Sequence, residues 1–225
     1  MGSCPTLARE LFAPIAPTYE RWARILSLGQ DARWRRMMVA DIDLPDGSLV
    51  LDLAAGTGSI ARALQARGHR VVAVDQSAEM LGRGRFPGAV VQAEAERLPF
   101  ADETFGAVTF GYLLRYVDDV AAAMAGIVRV LRPGGVVGMV EFGRPRGASH
   151  VAWAAYTRVA LPAAGLVAGS GWRRVGRFLG PSITEFSRRF PPDRLAATWR
   201  DAGLVDVVYR RPSLGGGLVM WGRRA

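Results

Sequence analysis

The sequence predicts an α/β fold in which a mostly parallel β-sheet carries helices on both faces. Several short runs are apolar at nearly every position, which is typical of strands buried on both faces of a parallel sheet. Segments of helical periodicity alternate with these runs, as in chains where helices connect parallel strands. A glycine-rich segment, residues 54–58, directly follows the first run, at the strand end where such sheets bind ligands. With 225 residues, half of them hydrophobic, we expect one domain spanning residues 1–225.

Residues 1–40 are expected to form a helical cap. Apolar side chains recur there at three- and four-residue steps, as they do on one face of a helix. These side chains are Leu11, Ile15, Tyr19, Trp22 and Leu26. Pro14 and Pro17 interrupt the first stretch, because proline lacks the N–H that a helix interior needs. Residues 27–30 predict a turn, after which a second helix continues to about residue 39.

The central part of the chain predicts alternating strands and helices. The strands are expected at residues 49–53, 71–75, 89–91, 107–110 and 136–142. The helices between them are expected at residues 59–66, 78–84 and 120–130, the first closed by Gly68 and the last by the segment 132–135. A helix over residues 191–202 then precedes two closing antiparallel strands at residues 205–209 and 218–221.

A mostly helical insert near residues 146–190 interrupts this alternation, and we expect it to cover the active site. It contains the longest apolar tract of the chain, residues 151–169. Arg158 and Pro162 lie inside this tract, which argues against a membrane-spanning helix.

The composition excludes several classes of protein. One cysteine and two histidines leave no disulfide framework and predict no metal site. Every one of the 29 basic residues is arginine, and they are placed unevenly. Residues 1–143 carry 15 arginines against 16 acidic residues, whereas residues 144–225 carry 14 against 4. The basic C-terminal third could meet an anionic surface, or it could simply be a solvated face. We expect a cytoplasmic protein, since nothing in the sequence requires an oxidising compartment.

The segment Gly56-Thr57-Gly58 predicts a nucleotide-type cofactor site. Its glycines allow a sharp turn and a close approach of the backbone to a ligand. Asp52, four residues earlier, is placed to receive an ammonium group, directly or through water. Asp75, at the end of the next strand, is placed to accept hydrogen bonds from a ribose diol. The glycine motif alone also fits a dinucleotide-binding oxidoreductase, or a turn with no ligand.

Further motifs separate these alternatives. Glu94-Ala95 followed by Leu98-Pro99-Phe100 would place a carboxylate and a backbone N–H at the edge of an adenine. Together with the segments 102–105 and 131–135, this series resembles the class I S-adenosylmethionine-dependent methyltransferases, which have a Rossmann-like fold. The resemblance implies S-adenosylmethionine as cofactor, with S-adenosylhomocysteine as product. The cofactor-binding residues it implies are Asp52, Ala54, Gly56, Thr57, Gly58, Asp75, Gln76, Met80, Glu94, Ala95 and Gly111.

A narrower resemblance covers nearly the whole chain. The segments 12–20, 26–31 and 34–36 resemble the N-terminal helices of the ubiquinone/menaquinone-biosynthesis C-methyltransferases. The matches continue at residues 53–57, Leu114-Arg115, Glu141-Phe142 and Leu161-Pro162. This resemblance implies methylation of an aromatic carbon of a reduced, prenylated quinone such as demethylmenaquinol.

The same resemblance suggests three catalytic side chains, each with a structural alternative. Arg115 is expected to stabilise a phenolate or to hold a water that acts as base, unless it only pairs with Asp118 or Asp119. Glu141 is expected to act as general base or to orient Tyr19, and a purely structural hydrogen bond is the alternative. Tyr19 is expected to close over the cofactor, although an aromatic residue at this spacing also suits a core.

The chain departs from the family where the substrate is expected. Tyr116 stands where the family has asparagine, and Trp153 and Tyr156 stand for an expected tyrosine pair. The closing segment, residues 214–217, lacks the later histidine. The alternative function is therefore methylation of a carbon or oxygen of a soluble natural product. A nucleic-acid methyltransferase and a non-catalytic cofactor-binding protein are further alternatives, and we expect no nucleic-acid partner because no basic–aromatic recognition module is present.

The insert suggests how a prenylated substrate is held. Its apolar side chains could line a tunnel, with Arg173, Arg174 and Arg177 at the rim, or they could only pack the insert onto the sheet. The tunnel side chains are Trp153, Ala154, Ala155, Val159, Leu161, Leu166 and Val167. This arrangement predicts a peripheral contact with the inner face of an anionic membrane. A small aromatic or quinol molecule is the expected substrate, and a homodimer is a further partner state to test.

Overall fold

The computed structural model describes residues 4–86 and 88–225, which form a seven-stranded sheet. The strand order is β3-β2-β1-β4-β5-β7-β6, parallel from β3 to β5 and antiparallel from β5 to β6. The strands are β1 (Leu49–Leu53), β2 (Arg70–Asp75), β3 (Ala89–Gln92), β4 (Phe105–Gly111), β5 (Leu131–Phe142), β6 (Leu204–Arg210) and β7 (Gly217–Arg224). The predicted α/β fold with a mostly parallel sheet is confirmed.

Helices cover both faces of the sheet because side chains of its strands point alternately to either side. From β1, Leu51 and Leu53 join one core cluster, while Val50 joins the other. The helices are α1 (Cys4–Phe12), α2 (Tyr19–Leu26), α3 (Gln30–Ala40), α4 (Ser59–Gln65), α5 (Ala78–Leu81), α6 (Val120–Val130), α7 (Ala148–Ala155), α8 (Leu161–Ala168), α9 (Ser170–Arg189) and α10 (Pro192–Asp201). Helices α6 and α10 pack in the first cluster, α3 and α4 in the second.

Several predicted boundaries were wrong. Helix α6 ends at Val130 as predicted, but β5 begins at Leu131 instead of residue 136 and includes the segment 132–135. Pairing of Leu131 with Phe105, followed by a register shift, keeps this segment in the sheet. Strand β7 ends at Arg224 instead of residue 221. Helix α5 ends at Leu81 instead of residue 84, and Gly82 is its C-terminal cap.

The cap and the insert pack on each other over the carboxyl ends of the parallel strands. Leu11 and Ile15 from the cap form a small core with Trp172 and Val175 of α9. The indole Nε1 of Trp172 donates a hydrogen bond of 3.0 Å to Thr18 Oγ1. These two helical regions therefore cover the ligand-binding edge of the sheet.

Residues 148–168 form one helical run in which a π-helical turn, Tyr156–Ala160, joins α7 to α8. By length and composition this run is apolar enough to cross a membrane, with a mean hydropathy of 1.3 over its most apolar window. Arg158 and Pro162 lie within this run, and the sequence argument that they disfavour a membrane-spanning helix stays a prediction. One side of the run packs against the protein through Thr157, Leu161 and Gly165.

Candidate active site

The glycine-rich loop after β1 has the strained backbone that its sequence requires. Ala54, Gly56 and Gly58 all have positive φ angles, of 54°, 58° and 83°. Such angles suit glycine, because they bring a Cβ atom too close to the backbone of other residues. At Gly58 a Cβ would also lie 2.8 Å from a ring carbon of Phe86, so this position serves the packing of the loop.

Asp75 ties the loop to the end of β2. Its Oδ2 accepts a hydrogen bond of 2.8 Å from the N–H of Gly56, and its Oδ1 accepts one of 2.9 Å from the N–H of Ser77. Burial raises the pKa of Asp75, although these backbone donors oppose the shift. Each oxygen retains a lone pair, so the carboxylate can accept further hydrogen bonds from a ligand.

A pocket lies between this loop, the ends of β2 and β4, and the cap. Eight of the predicted cofactor-binding residues line it, namely Ala54, Gly56, Thr57, Asp75, Gln76, Met80, Ala95 and Gly111. Tyr19 also lines it, as predicted from its place in the cap. Their binding roles stay predictions, but the structure brings these residues together around one space.

Asp52 does not line this pocket, contrary to the expected contact with an ammonium group. It is fully buried beneath the loop, where its Oδ2 accepts a hydrogen bond of 2.9 Å from the N–H of Ala61 and its Oδ1 one of 3.2 Å from Thr109 Oγ1. The carboxylate thus caps the first turn of α4 from below. Burial raises the pKa of Asp52 to about 7.

Gly58 and Glu94 also lie outside the pocket lining. Ala93 and Ala95 face the pocket after β3, and Glu94 between them is exposed, as expected in a chain whose side chains alternate. Glu96 lines the pocket instead, and its Oε1 accepts hydrogen bonds from the N–H groups of Asp118 and Asp119.

A second cavity, of about 260 Å³, adjoins the first and is lined mainly by apolar side chains of the cap and the insert. The two spaces share Phe12, Tyr19 and Tyr112 as lining residues. We call the first space the nucleotide pocket and the second the apolar cavity. Their common wall is aromatic, because Phe12 meets Tyr19 edge to face at 6.1 Å between ring centroids.

Only part of the predicted tunnel lines the apolar cavity. Trp153 and Leu161 do so, together with Tyr156. Val159, Leu166 and Val167 were expected in the tunnel but are 66%, 65% and 81% exposed. They lie on the outer side of the helical run.

Arg115 lines the apolar cavity and forms an ion pair with Glu141 that is almost completely buried. Arg115 Nε lies 2.8 Å from Glu141 Oε1, and each side chain is 1% exposed. The structural alternative that paired Arg115 with Asp118 or Asp119 is therefore wrong, since Asp119 caps α6 through the N–H groups of its first turn.

Glu141 sits behind Arg115 and lines neither space. Its Oε1 also accepts a hydrogen bond of 2.7 Å from the N–H of Phe142, and among the described residues its buried Oε2 has no partner. Burial raises the pKa of Glu141 in spite of the neighbouring Arg115. Burial alone would lower the pKa of Arg115, but the Glu141 charge reverses this and raises it. This placement suits a carboxylate that orients Arg115 better than one that reaches a substrate.

A second, partly buried network is not predicted by the sequence. Asp31 Oδ1 accepts hydrogen bonds from Tyr112 Oη at 2.5 Å and from Arg35 Nε at 2.8 Å. Arg35 also donates to Ser59 Oγ at 2.8 Å, beside the glycine-rich loop. Asp31 lines the apolar cavity, Arg35 the nucleotide pocket, and Tyr112 both. The spacing of Asp31 and Arg35, four residues apart on a predicted helix, was the available signal.

Tyr19 is held between the cap and α9. Its ring stacks on Trp172 at 6.1 Å between centroids, with 17° between the planes. Burial raises the pKa of Tyr19 to about 12, so its hydroxyl stays protonated at neutral pH.

Glu20, next to Tyr19, fixes the cap to the loop. Its Oε1 accepts hydrogen bonds from Thr57 Oγ1 at 2.9 Å and from Arg62 Nη2 at 2.5 Å.

Within residues 4–86 and 88–225, no group of three or more histidine, cysteine or acidic side chains is arranged to hold a metal ion.

The comparisons with known proteins agree with this geometry. The model of the ubiE/COQ5 methyltransferase family matches residues 4–223. The chain belongs to the ubiE/COQ5 methyltransferase family. It is 38% identical over 224 residues to the ubiquinone/menaquinone biosynthesis C-methyltransferase of Desulfotalea psychrophila, covering 95% of this chain and 88% of that protein. It is 37% identical over 220 residues to the demethylmenaquinone methyltransferase of Renibacterium salmoninarum, covering 96% and 90%.

A solved structure shows the same fold at low sequence identity. A SAM-dependent methyltransferase of Thermotoga maritima superposes with a TM-score of 0.65 and 19% identity, covering 96% of this chain and 99% of that one. The Rossmann-like methyltransferase fold predicted from the sequence is thus confirmed. As a member of the ubiE/COQ5 family, the chain is an S-adenosylmethionine-dependent methyltransferase.

The nucleotide pocket fits S-adenosylmethionine. A Cβ atom at Gly56 would enter it 3.3 Å from Met80 Cε, so the glycine leaves a cradle that a side chain would fill. Asp75 and Ala95 line this space, and the contacts predicted for them with the ribose and the adenine stay predictions. Eight of the eleven predicted cofactor residues therefore surround a space that suits this group, whereas Asp52, Gly58 and Glu94 lie outside its lining.

Proposed function

We propose that this methyltransferase transfers a methyl group to a ring carbon of a prenylated hydroquinone such as demethylmenaquinol. The observation that carries the proposal is the apolar cavity, which meets the nucleotide pocket at Phe12, Tyr19 and Tyr112. A hydroquinone ring at this wall would face the methyl donor, and its tail would lie among the apolar side chains. The names of the relatives in Desulfotalea psychrophila and Renibacterium salmoninarum support the same substrate class.

The protein's contribution to such a transfer is positioning and the exclusion of water. S-adenosylmethionine supplies an electrophilic methyl group on a sulfonium. The aromatic wall around Tyr19 holds the acceptor ring against the nucleotide pocket, and Trp172 stacks behind Tyr19 to keep it in place. Phe12 and Tyr19 of this wall belong to the cap and Tyr112 follows β4, so the cap and the sheet together position the acceptor ring.

Arg115 lines the apolar cavity, and we propose that its guanidinium contacts the acceptor. Its Nη1 is loosely bound, 3.3 Å from Ser182 Oγ and 3.4 Å from Tyr116 Oη, so it can donate instead to an oxygen of the hydroquinone. Such a donor stabilises the negative charge that grows on that oxygen as the ring attacks. Glu141 holds the guanidinium in this orientation through Nε.

The test is turnover with isotopically labelled cofactor. The enzyme, methyl-labelled S-adenosylmethionine and reduced demethylmenaquinone with a short prenyl tail are incubated, and the products are analysed by mass spectrometry. The expected product is heavier by one labelled methyl group on the ring. Cofactor binding without any methylated hydroquinone would overturn the substrate assignment and favour a soluble natural product as acceptor.

We also propose that the enzyme works at the inner face of the cytoplasmic membrane. The outer side of the helical run 148–168 exposes Val151, Val159, Leu166 and Val167, all more than half exposed. Arg173, Arg174 and Arg177, on the adjoining α9, are exposed as well and carry the charge that anionic lipids attract. The inner side of the same run lines the apolar cavity, so a tail would pass from the bilayer into the site over a short distance.

Vesicle flotation tests this proposal. We expect binding to vesicles that contain about a third of anionic lipid, weakened by high salt because exposed charges are screened. Val167→Ser should reduce binding, whereas Val208→Ser, a similarly exposed valine on β6, should not. Equal binding of both variants would mean that the helical run 148–168 does not contact the membrane.

A further inference from the structure

Asp31 is the carboxylate best placed to act on an acceptor in the apolar cavity. It lines that cavity, and its side chain is only 16% exposed. Both of its short hydrogen bonds, from Tyr112 and Arg35, end on Oδ1. Neither bond engages Oδ2, so this oxygen is left to accept a hydrogen bond from a ligand in the cavity.

The neighbouring groups are less suited to receive a proton. Glu141 lines neither space and is covered by Arg115. Burial raises the pKa of both tyrosines of the common wall, Tyr19 and Tyr112, so each keeps its own proton. His150 lies outside both spaces, with its ring stacked on Trp153 at 5.7 Å between centroids.

Arg35 and Tyr112 hold Asp31 in place and connect it with the nucleotide pocket. Arg35 is anchored at both ends, by Asp31 and by Ser59 at the start of α4. Its guanidinium also lies over the Tyr112 ring, 5.3 Å from the centroid. Tyr112 in turn stacks on Phe142 at 4.4 Å. A group held this firmly costs little reorganisation when it reacts.

We propose that Asp31 is the general base that takes the hydroxyl proton of the acceptor during methyl transfer. The O–H bond breaks, and its proton moves to Asp31 Oδ2 while a ring carbon forms the bond to the methyl group. The C–S bond breaks, and its electron pair stays on sulfur. The ring carbon then loses its own proton to solvent, and Asp31 returns its proton to the ring oxygen. The balance is one proton released for each methyl group transferred.

This inference rests on the proposed methylation of a hydroquinone, and the variant Asp31→Asn tests it. Asparagine keeps the size of the side chain but cannot take up a proton. We expect turnover of short-tailed demethylmenaquinol to fall by about 100- to 10,000-fold, the usual contribution of a general base. Binding of S-adenosylhomocysteine should stay near the wild-type value, because the oxygen of asparagine can still accept the hydrogen bond from Arg35, which lines the nucleotide pocket. Asp41→Asn, which removes a carboxylate from the surface pair with Arg210, is the matched control.

A second acceptor separates a base from a residue that only positions the ring. A hydroquinone with electron-withdrawing chlorine on its benzo ring loses its hydroxyl proton more easily and needs a base less. The defect of Asp31→Asn should therefore shrink by at least about tenfold with this acceptor. An equal defect with both acceptors would overturn the assignment. Tyr112→Phe, which removes a donor to Asp31, should show a smaller defect, and it serves as the test if Asp31→Asn does not fold. A wild-type enzyme that methylates neither hydroquinone would refute the proposed function instead.

Discussion

The enzyme contains a buried and a partly buried arginine–carboxylate pair, and they differ in what their carboxylates can reach. In the Arg115–Glu141 pair the carboxylate is sealed and lines no cavity, while the arginine lines the apolar cavity. In the Arg35–Asp31 pair the carboxylate lines the apolar cavity, while the arginine lines the nucleotide pocket. The same chemical pair thus presents a cation to the acceptor in one place and an anion in the other.

This difference teaches that burial of an ion pair does not by itself indicate its role. A sealed pair balances its own charge, and its loss is expected mainly to cost stability. A pair open on one side keeps an atom free for a ligand, and its loss is expected mainly to cost turnover. Measured stabilities of single variants can test this distinction without any substrate.

The largest effect on stability is expected for Arg115→Met. Removing the arginine leaves Glu141 buried without a countercharge, so the free energy of unfolding should fall by about 3–5 kcal/mol in urea denaturation. The double variant Arg115→Met/Glu141→Leu should recover most of this loss, because apolar side chains of similar size can replace a buried pair. A single variant as stable as the wild type would show that water reaches Glu141.

Asp52 extends the comparison to a buried carboxylate that hydrogen-bonds no arginine in the described structure. Its pKa in the folded protein, about 7, lies above the usual 3.8 because of burial. The folded state therefore holds the proton between these two values while the unfolded state has lost it, and the wild type loses stability as the pH rises from 4 to 7. Asp52→Asn should gain about 1.4 kcal/mol per pH unit relative to the wild type over this range.

Urea denaturation of both proteins at pH 4.5, 5.5 and 6.5 measures this difference. Other groups titrate in the same range, but they do so equally in the two proteins. A difference that stays constant with pH would mean that Asp52 is ionised in the fold throughout.

The smallest effect on stability is expected for Asp31→Asn, about 1–2 kcal/mol. An amide can still accept the hydrogen bonds from Tyr112 and Arg35, and only the assistance of the charge is lost. Urea denaturation of this variant beside Arg115→Met gives the comparison directly. A loss as large as that of Arg115→Met would make Asp31 a structural partner of Arg35 rather than an open carboxylate.

The parts of the site that depend on local sequence could be predicted. The turn after β1 needs two closely spaced glycines, Gly56 and Gly58, and Asp75 follows at the end of the adjoining strand β2. Both features are visible in a short stretch of sequence, since parallel strands end at one edge of the sheet. Eight of the eleven cofactor residues implied by the family resemblance line the nucleotide pocket.

The partners of buried charges could not be predicted in the same way. Arg115 has acidic residues nearby in sequence, but its partner Glu141 lies 26 residues away on the neighbouring strand. Tyr112 and Asp31 are 81 residues apart. Such pairings depend on how distant segments pack against each other, and no local sequence pattern carries this information. Asp52 shows the opposite case. Its place in the sequence suggested a contact with a ligand, but its carboxylate accepts a hydrogen bond from the N-terminal turn of α4 instead.

The π-helical turn at Tyr156–Ala160 has a consequence for insertions and deletions in this family. A π-helical turn contains one residue more than the α-helical turn it replaces. Deleting one residue there would rotate α8 by about 100° relative to α7, since each residue of an α-helix turns by that angle. Leu166 and Val167 would then leave the outer side, and Leu161 would leave the apolar cavity. A single-residue change in length at this turn is therefore enough to turn the second half of the insert by more than a quarter of a full rotation relative to the first half.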